Sequence, residues 1–234
     1  MSEGVNITDA EVDLETDLSV VDGRAESLAD RAYREIRDRL VMLDIRPGSP
    51  INEDQLGTSL GIGRTPVREA LKRLAHERLV VAFPRRGTFA TDVHITDLAH
   101  ISEVRQHLEP IAAAAGARRA TDAERASLSD LADRLQSAET KRLEPHELMR
   151  LDLRAHRALY AATHNPFLED TLLRYDNLAN RIWCLLIGRL SGMAGHVGEH
   201  GPLLEAVVAG DADRAAELAR QHVLHFEQEV RSLL

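Results

Sequence analysis

Between Asn52 and Arg78 the chain reads as two short amphipathic helices joined by a glycine turn, an arrangement few folds accept. Leu56, Leu60 and Ile62 form the apolar side of the first helix and its turn. Val67, Leu71 and Leu74 recur at i, i+4 and i+7, so the second helix buries a single stripe. Arg64, Arg68 and Lys72 follow each other at four-residue spacing on another side. Thr65 and Pro66 stand at the helix start, where the N–H that proline lacks would be unpaired in any case. A helix anchored by one stripe, presenting cations at its N-terminal end on another, suits the major groove of DNA.

The flanking segments extend this pattern. Leu79–Phe83 and Thr88–Thr91 are β-prone and enclose the basic turn Pro84-Arg85-Arg86-Gly87, which predicts a hairpin. From such a tip, Arg85 and Arg86 reach backbone phosphates or the minor groove. Upstream, Ile36, Leu40 and Leu43 predict a helix over residues 32–43 that stops before Pro47-Gly48. Three helices followed by a hairpin make a winged helix-turn-helix.

Charge is distributed to match. The 234 residues carry a formal net charge of -9, which excludes a protein that coats nucleic acid indiscriminately. Residues 1–22 hold seven acids and no base, whereas residues 23–95 hold 13 Lys/Arg against 10 acids. Residues 1–24 are polar and poorly patterned, and are expected to form a mobile acidic tail. Residues 25–92 are assigned to the winged domain and residues 93–234 to a second domain. Cys184 is the only cysteine, so no intramolecular disulfide forms, and an inert buried thiol is expected. Apolar runs are too short to span a bilayer and the acidic start is unlike a signal peptide, so a cytoplasmic protein without membrane contact is expected.

From Ile95 onward helical periodicity dominates. Thr96 is a candidate cap for a helix running through Ile101, Val104, Leu108 and Ile111. Thr121-x-x-Glu124 is a capping box for the next, Pro145 starts a third, and Asn165-Pro166 stops it. A fourth is expected from Phe167 to about Leu190, a short one from His196 to Val208, and a last from Asp211. The fold class is therefore mainly α: a winged helix-turn-helix followed by an all-α bundle of six or seven helices.

Asp152 and His156 lie at i, i+4 on one helix face, and His200 and His222 converge with them if the late helices are antiparallel neighbours. Three imidazoles and a carboxylate suit Zn, Ni, Mn or Fe(II). With 11 histidines in the chain, ordinary core or surface roles compete with that reading, and His196 substitutes for His200 if the register shifts.

Several segments carry a family resemblance. Ile45-Arg46-Pro47-Gly48-Ser49, Arg64-Thr65-Pro66-Val67-Arg68-Glu69-Ala70-Leu71 and Arg86-Gly87-Thr88-Phe89 resemble the DNA-binding domain of the GntR family of bacterial transcription regulators, over residues 28–92. The resemblance implies that Arg64, Thr65, Arg68 and Gly87 stand where relatives contact operator DNA. Asp54 occupies a position where some relatives carry Arg; an acid cannot neutralise a phosphate, so that contact is not carried over. Asp152-x-x-x-His156, Asn165-Pro166-x-Leu168, Glu199-His200, Ala209-Gly210-Asp211 and His222 resemble the ligand-binding domain of the FadR subgroup, the FCD type. In metal-binding members these Asp and His positions hold the ion, zinc being the first choice here. Glu103-x-Arg105-x-x-Leu108-Glu109 also matches, and implies that Arg105 holds an acidic effector; an ion pair with Glu109 on the surface is its alternative role. A guanidinium gives a carboxylate two charge-assisted hydrogen bonds.

The resulting expectation is a dimeric regulator on a palindromic operator, a repressor released by a small carboxylate. A regulator answering to the metal alone is the alternative. A metalloenzyme is the more distant one, since no motif places an additional general base.

Overall fold

The computed structural model describes residues 27–137, 139–189 and 192–233. The acidic tail of residues 1–24 lies outside them.

Helix α1 (Leu28–Val41) begins four residues before its predicted start, because the Ser27 side chain accepts the Asp30 N–H and caps it. It ends before Leu43, whose φ of 61° is left-handed. Asn52 caps α2 (Glu53–Leu60) by accepting the N–H groups of Asp54 and Gln55, and Gly61 ends it at φ 63°. That left-handed turn costs glycine nothing, and it sets α3 (Arg64–His76) across α2. Pro66 is the third residue of α3, not the first. Its missing N–H is still one of the four that no helix start can pair.

Strand β1 (Pro50–Ile51) was not foreseen, since two residues are too few to show alternation. It pairs antiparallel with β3 (Gly87–Ala90), which also pairs with β2 (Val80–Phe83), giving the order β1-β3-β2. Phe83 opposes Gly87 at the wing tip. Ile36 and Leu40 of α1 are fully buried with Val67 and Leu74 of α3. Each such side chain contributes about 1.5–3 kcal/mol through burial.

The bundle comprises α4 (Leu98–Arg119), α5 (Asp122–Gln136), α6 (Pro145–Ala161), α7 (Pro166–Leu186), α8 (Met193–Gly198), α9 (His200–Val208) and α10 (Ala212–Arg231). That is seven α-helices among the described residues, the upper end of the expectation. Thr96 is not a cap: a 3-10 turn (Ile95–Asp97) leads into α4, and Asp97 takes the capping position. The Thr121–Glu124 capping box forms as expected. Helix α7 stops at Leu186 and continues as a 3-10 turn, and the single helix expected from His196 to Val208 is two, divided at Glu199.

Helix α4 packs along α10 and against α7, and α7 also meets α6 and α1. Two arginines tie the bundle to the winged domain. Arg157 Nη1 and Nη2 of α6 donate to the Asp38 carboxylate of α1 at 3.3 and 2.5 Å. Arg181 of α7 donates to the hydroxyl and carbonyl oxygens of Thr91, just beyond β3, at 2.6 Å each.

Candidate functional site

The outer face of α3 is cationic. Arg64, Thr65, Arg68 and Lys72 are exposed, and Pro66 is half-buried between them. Arg64 and Arg68 leave 67% and 60% of their side chains open to solvent, so neither is turned under the fold. Both are nonetheless engaged. Arg64 Nη2 donates to Asp54 Oδ2 at 2.9 Å, and Arg68 Nε donates to Glu53 Oε2 at 2.6 Å. Asp54, which stands where the resemblance gives some relatives an Arg, thus holds Arg64. At the wing, Arg85 is exposed in a left-handed conformation, Gly87 has φ 89°, and the Arg86 guanidinium lies over the Phe83 and Phe89 rings at 5.6 and 5.9 Å.

Inside the bundle, α6, α9 and α10 bring Asp152, His156, His200 and His222 together, each 0–2% exposed. One ligand atom from each lies within 4.8 Å of all the others. Metal–ligand distances of 2.0–2.2 Å place tetrahedral donors about 3.3–3.6 Å apart, so closing on an ion needs only small shifts. The pairing of the outer nitrogens is consistent with that use. His200 Nδ1 lies 3.2 Å from the Val197 carbonyl and His222 Nδ1 lies 3.1 Å from Glu199 Oε2, contacts that put a proton on each Nδ1. Their Nε2 lone pairs are then free, and His222 Nε2 is buried without a hydrogen-bond partner. His156 Nδ1 meets the Tyr160 hydroxyl at 3.0 Å, while its Nε2 faces His200 Nε2 at 3.2 Å. Two lone pairs facing each other at that distance repel unless a cation or proton lies between them.

Electrostatics favour the same donor set. Burial, reinforced by the neighbouring imidazoles, pushes His156 and His200 well below their ordinary range. Burial and the Arg105 charge push His222 down to about 3. All three are therefore neutral and able to ligate near pH 7. Burial and the nearby Asp176 raise Asp152, and burial raises Asp176 to about 7. A divalent cation reverses that preference and favours the carboxylates.

Arg105 is 2% exposed beside this cage. Its Nε donates to Glu109 Oε1 at 2.5 Å, and its Nη2 lies 3.2 Å from Asp176 Oδ1 and 3.4 Å from His156 Nε2. The pair with Glu109, the alternative role given to Arg105, forms, but in a buried triad and not on the surface, because α7 packs against α4 and brings Asp176 in. Asp176 and Tyr160 were missed, and Glu109 and Glu199 were named in the sequence but given no place at the site. Glu109 and Glu199 had local signals, at i+4 from Arg105 and next to His200, whereas Asp176 had none. His196 does not replace His200; it stacks on His222 at 4.1 Å, outside the four. Cys184 is buried and free, and burial pushes its thiol up to about 12, as an inert role requires.

A cleft of about 920 Å³ lies elsewhere, between the wing and α7, lined by residues including Arg86, Phe89, Thr91, His94, Tyr175 and Arg181. None of the cage residues lines it, and it is the open gap between the two domains.

The family models agree with this architecture. Residues 28–90 match the model for bacterial regulatory proteins of the gntR family, and residues 100–225 match the FCD domain. The chain belongs to the GntR family, with an FCD domain. It is 30% identical over 193 residues to an HTH-type transcriptional regulator in an unstable DNA locus of Streptomyces ambofaciens, covering 82% of this chain and 80% of that one. It is 24% identical over 202 residues to the HTH-type transcriptional repressor RspR of Escherichia coli, covering 86% and 88%. The solved structure of E. coli McbR/YncC has the same fold, with a TM-score of 0.76, 21% identity and coverage of 89% and 99%. The protein is thus a DNA-binding transcription regulator with a C-terminal effector-binding domain. Among the described residues, no helix is long and apolar enough to cross a membrane.

Proposed function

We propose that this regulator is a homodimeric, metal-dependent repressor that leaves its operator when a small organic acid binds beside the cage. The observation that carries the reading is the buried guanidinium of Arg105, 3.4 Å from a candidate ligand nitrogen of His156. A carboxylate entering there meets two anchors: the Arg105 fork, and a divalent ion held by Asp152, His156, His200 and His222. Such an ion, zinc by first choice, supplies a Lewis-acidic partner for an effector oxygen. Arg105 must first exchange a protein carboxylate, Asp176 or Glu109, for that of the effector.

Residues 25–92 bind DNA in this reading and residues 93–234 bind effector and dimerise. Two-fold symmetry in the dimer calls for a palindromic operator. Arg64, Thr65, Pro66 and Arg68 meet base edges at the start of α3, Lys72 meets phosphate, and Arg85, Arg86 and Gly87 follow from the wing. This reading has the protein act on DNA in the cytoplasm, as a binder and not as an enzyme. The Arg64–Asp54 pair is exposed on both sides and worth about 0–1 kcal/mol. A bidentate contact to guanine is worth about 1–3 kcal/mol, so the exchange favours DNA.

A thermal-shift and operator-binding screen of small organic acids tests the effector role, on zinc-loaded parent and on Arg105→Ala. The expected hit stabilises the parent, weakens its grip on operator, and does neither to the variant. A hit that works equally well on the variant removes Arg105 from the site. The sealing of the cage favours a second reading in which metal alone is the signal. In that case chelation by itself changes operator affinity, reversibly.

A further inference from the structure

Arg181 of α7 is 2% exposed, yet no carboxylate among the described residues forms an ion pair with it. The other two buried arginines, Arg37 and Arg105, each hold one. Arg181 Nη1 and Nη2 donate to the two neutral oxygens of Thr91, and its buried Nε–H has no hydrogen-bond partner. A buried charge is ordinarily paired, because leaving water without a counter-charge is costly. Asp92 attracts this one without a hydrogen bond, but burial outweighs the attraction and lowers the guanidinium to about 10. The same side chain lines the cleft of about 920 Å³ between the wing and α7. Small-molecule sites span about 300–1,000 Å³, with apolar walls and a few polar anchors. Here Val81 and Phe89 of the wing, Ile101 and Val104 of α4, and Tyr175 and Leu178 of α7 make the walls. Exposed Arg78 and Arg86 add positive charge to the lining, against exposed Asp92 and Asp97.

We propose that this interdomain cleft is a second ligand site, taking a small amphipathic anion whose charged head pairs with Arg181. The ligand class follows from the lining: a carboxylate or sulfonate head on an aromatic or branched apolar body. The head supplies the counter-charge that the protein withholds. A charge-assisted hydrogen bond is stronger than a neutral one, so the guanidinium exchanges the Thr91 oxygens for those of the ligand. That exchange replaces a direct tie between α7 and the end of β3 by one that runs through the ligand, and so resets how the wing is held. The cleft is separate from the Arg105 site but shares its walls. Val104 and Tyr175 face the cleft, while the next residues, Arg105 and Asp176, face each other inside the bundle.

Full-length protein is titrated with the fluorescent probe anilinonaphthalene sulfonate, an anionic head on an aromatic body, and with its neutral counterpart lacking the sulfonate. Three variants accompany the parent, each checked by a melting curve. Arg181→Gln removes the charge and keeps a polar head, Val104→Trp fills the cleft from a half-buried wall, and Arg105→Ala removes the anchor proposed for the bundle effector. The parent is expected to bind one equivalent of the anionic probe and to hold the neutral one more weakly. Arg181→Gln should weaken the anionic probe by roughly tenfold or more and leave the neutral one unchanged. Val104→Trp should weaken both, and Arg105→Ala neither. Saturating anionic probe should change the operator affinity of the parent by about fivefold or more. Equal affinity for the two probes, or equal binding by the parent, Arg181→Gln and Val104→Trp, overturns the site. Binding lost in Arg105→Ala alone overturns it too, and assigns the probe to the bundle. Binding as expected with operator affinity unchanged rejects the hold on the wing.

Discussion

At the residue scale, Arg64 and Arg68, the arginines proposed to meet DNA, show how an exposed charge is held in place. Glu53 and Asp54 sit in the first turn of α2 and hold Arg68 and Arg64 against the free rotation of long side chains. The Arg64–Asp54 pair is exposed on both sides and the Arg68–Glu53 pair on its arginine side, so a competing anion would displace the first at small cost. Replacing Arg64 with Ala is expected to weaken operator binding by about 1–3 kcal/mol and relax discrimination at one base pair. Replacing Lys72 should weaken all sequences alike and lower the salt slope by about one; gel shifts at several salt concentrations distinguish the two. Asp38 carries a prediction of another kind. Burial raises its carboxyl, but Arg157 and Arg37 outweigh burial and hold it below the ordinary value of 3.8. A carboxyl depressed in the fold stabilises fully above the unfolded value and loses that contribution as pH falls through the folded one. The urea midpoints of the parent and Asp38→Asn should therefore differ at pH 7 and converge below about pH 4.

At the element scale, glycine and the caps set where helices break, and the breaks place the site. A Cβ on Gly57 would meet the Ile62 carbonyl oxygen at 2.7 Å, so α2 and its turn approach too closely for any other residue. Gly57→Ala is expected to cost roughly 1–3 kcal/mol of stability, as overpacking does, and to disorder the helix-turn-helix before the bundle. Thermal unfolding followed by Trp183, which reports on the bundle, and by far-ultraviolet dichroism should then show two transitions. The Glu199 break has the opposite use. It turns His200 inward at the head of α9 while leaving Glu199 to meet α10.

At the scale of the whole molecule, two helices connect the interior of the bundle to the winged domain: α6, which carries two of the cage residues, and α7, which carries the Asp176 partner of Arg105. His156 and Arg157 are consecutive on α6, one facing the cage and the other Asp38 of α1. On α7, Asp176 holds Arg105 while Arg181 holds Thr91. A ligand that replaces Asp176 on Arg105 therefore acts on a helix already joined to the wing. Allostery is a coupling free energy, typically about 1–3 kcal/mol. Arg157→Ala combined with Arg181→Ala is expected to remove most of it while leaving metal and operator affinities near parental. Operator titrations with and without effector measure the coupling. An unchanged ratio in the double variant would show that the signal travels elsewhere.

What the amino-acid order determined by itself was periodic or local. The Val67–Leu71–Leu74 stripe, the Thr121–Glu124 box and the four-residue steps of Arg64, Arg68 and Lys72 depend only on helical geometry, which repeats every few residues. The i, i+4 relation of Asp152 to His156 was legible for the same reason. Tertiary structure alone decided the rest. Asp176 lies 71 positions beyond Arg105, and no periodicity announces that burial will drive the two together. The pairing of β1 with β3, the sealing of Arg105 and the carboxylate of Glu199 among three imidazoles likewise arise from helices and strands meeting across long stretches of chain. Packing sets which charges lose their water, and so which of them need each other.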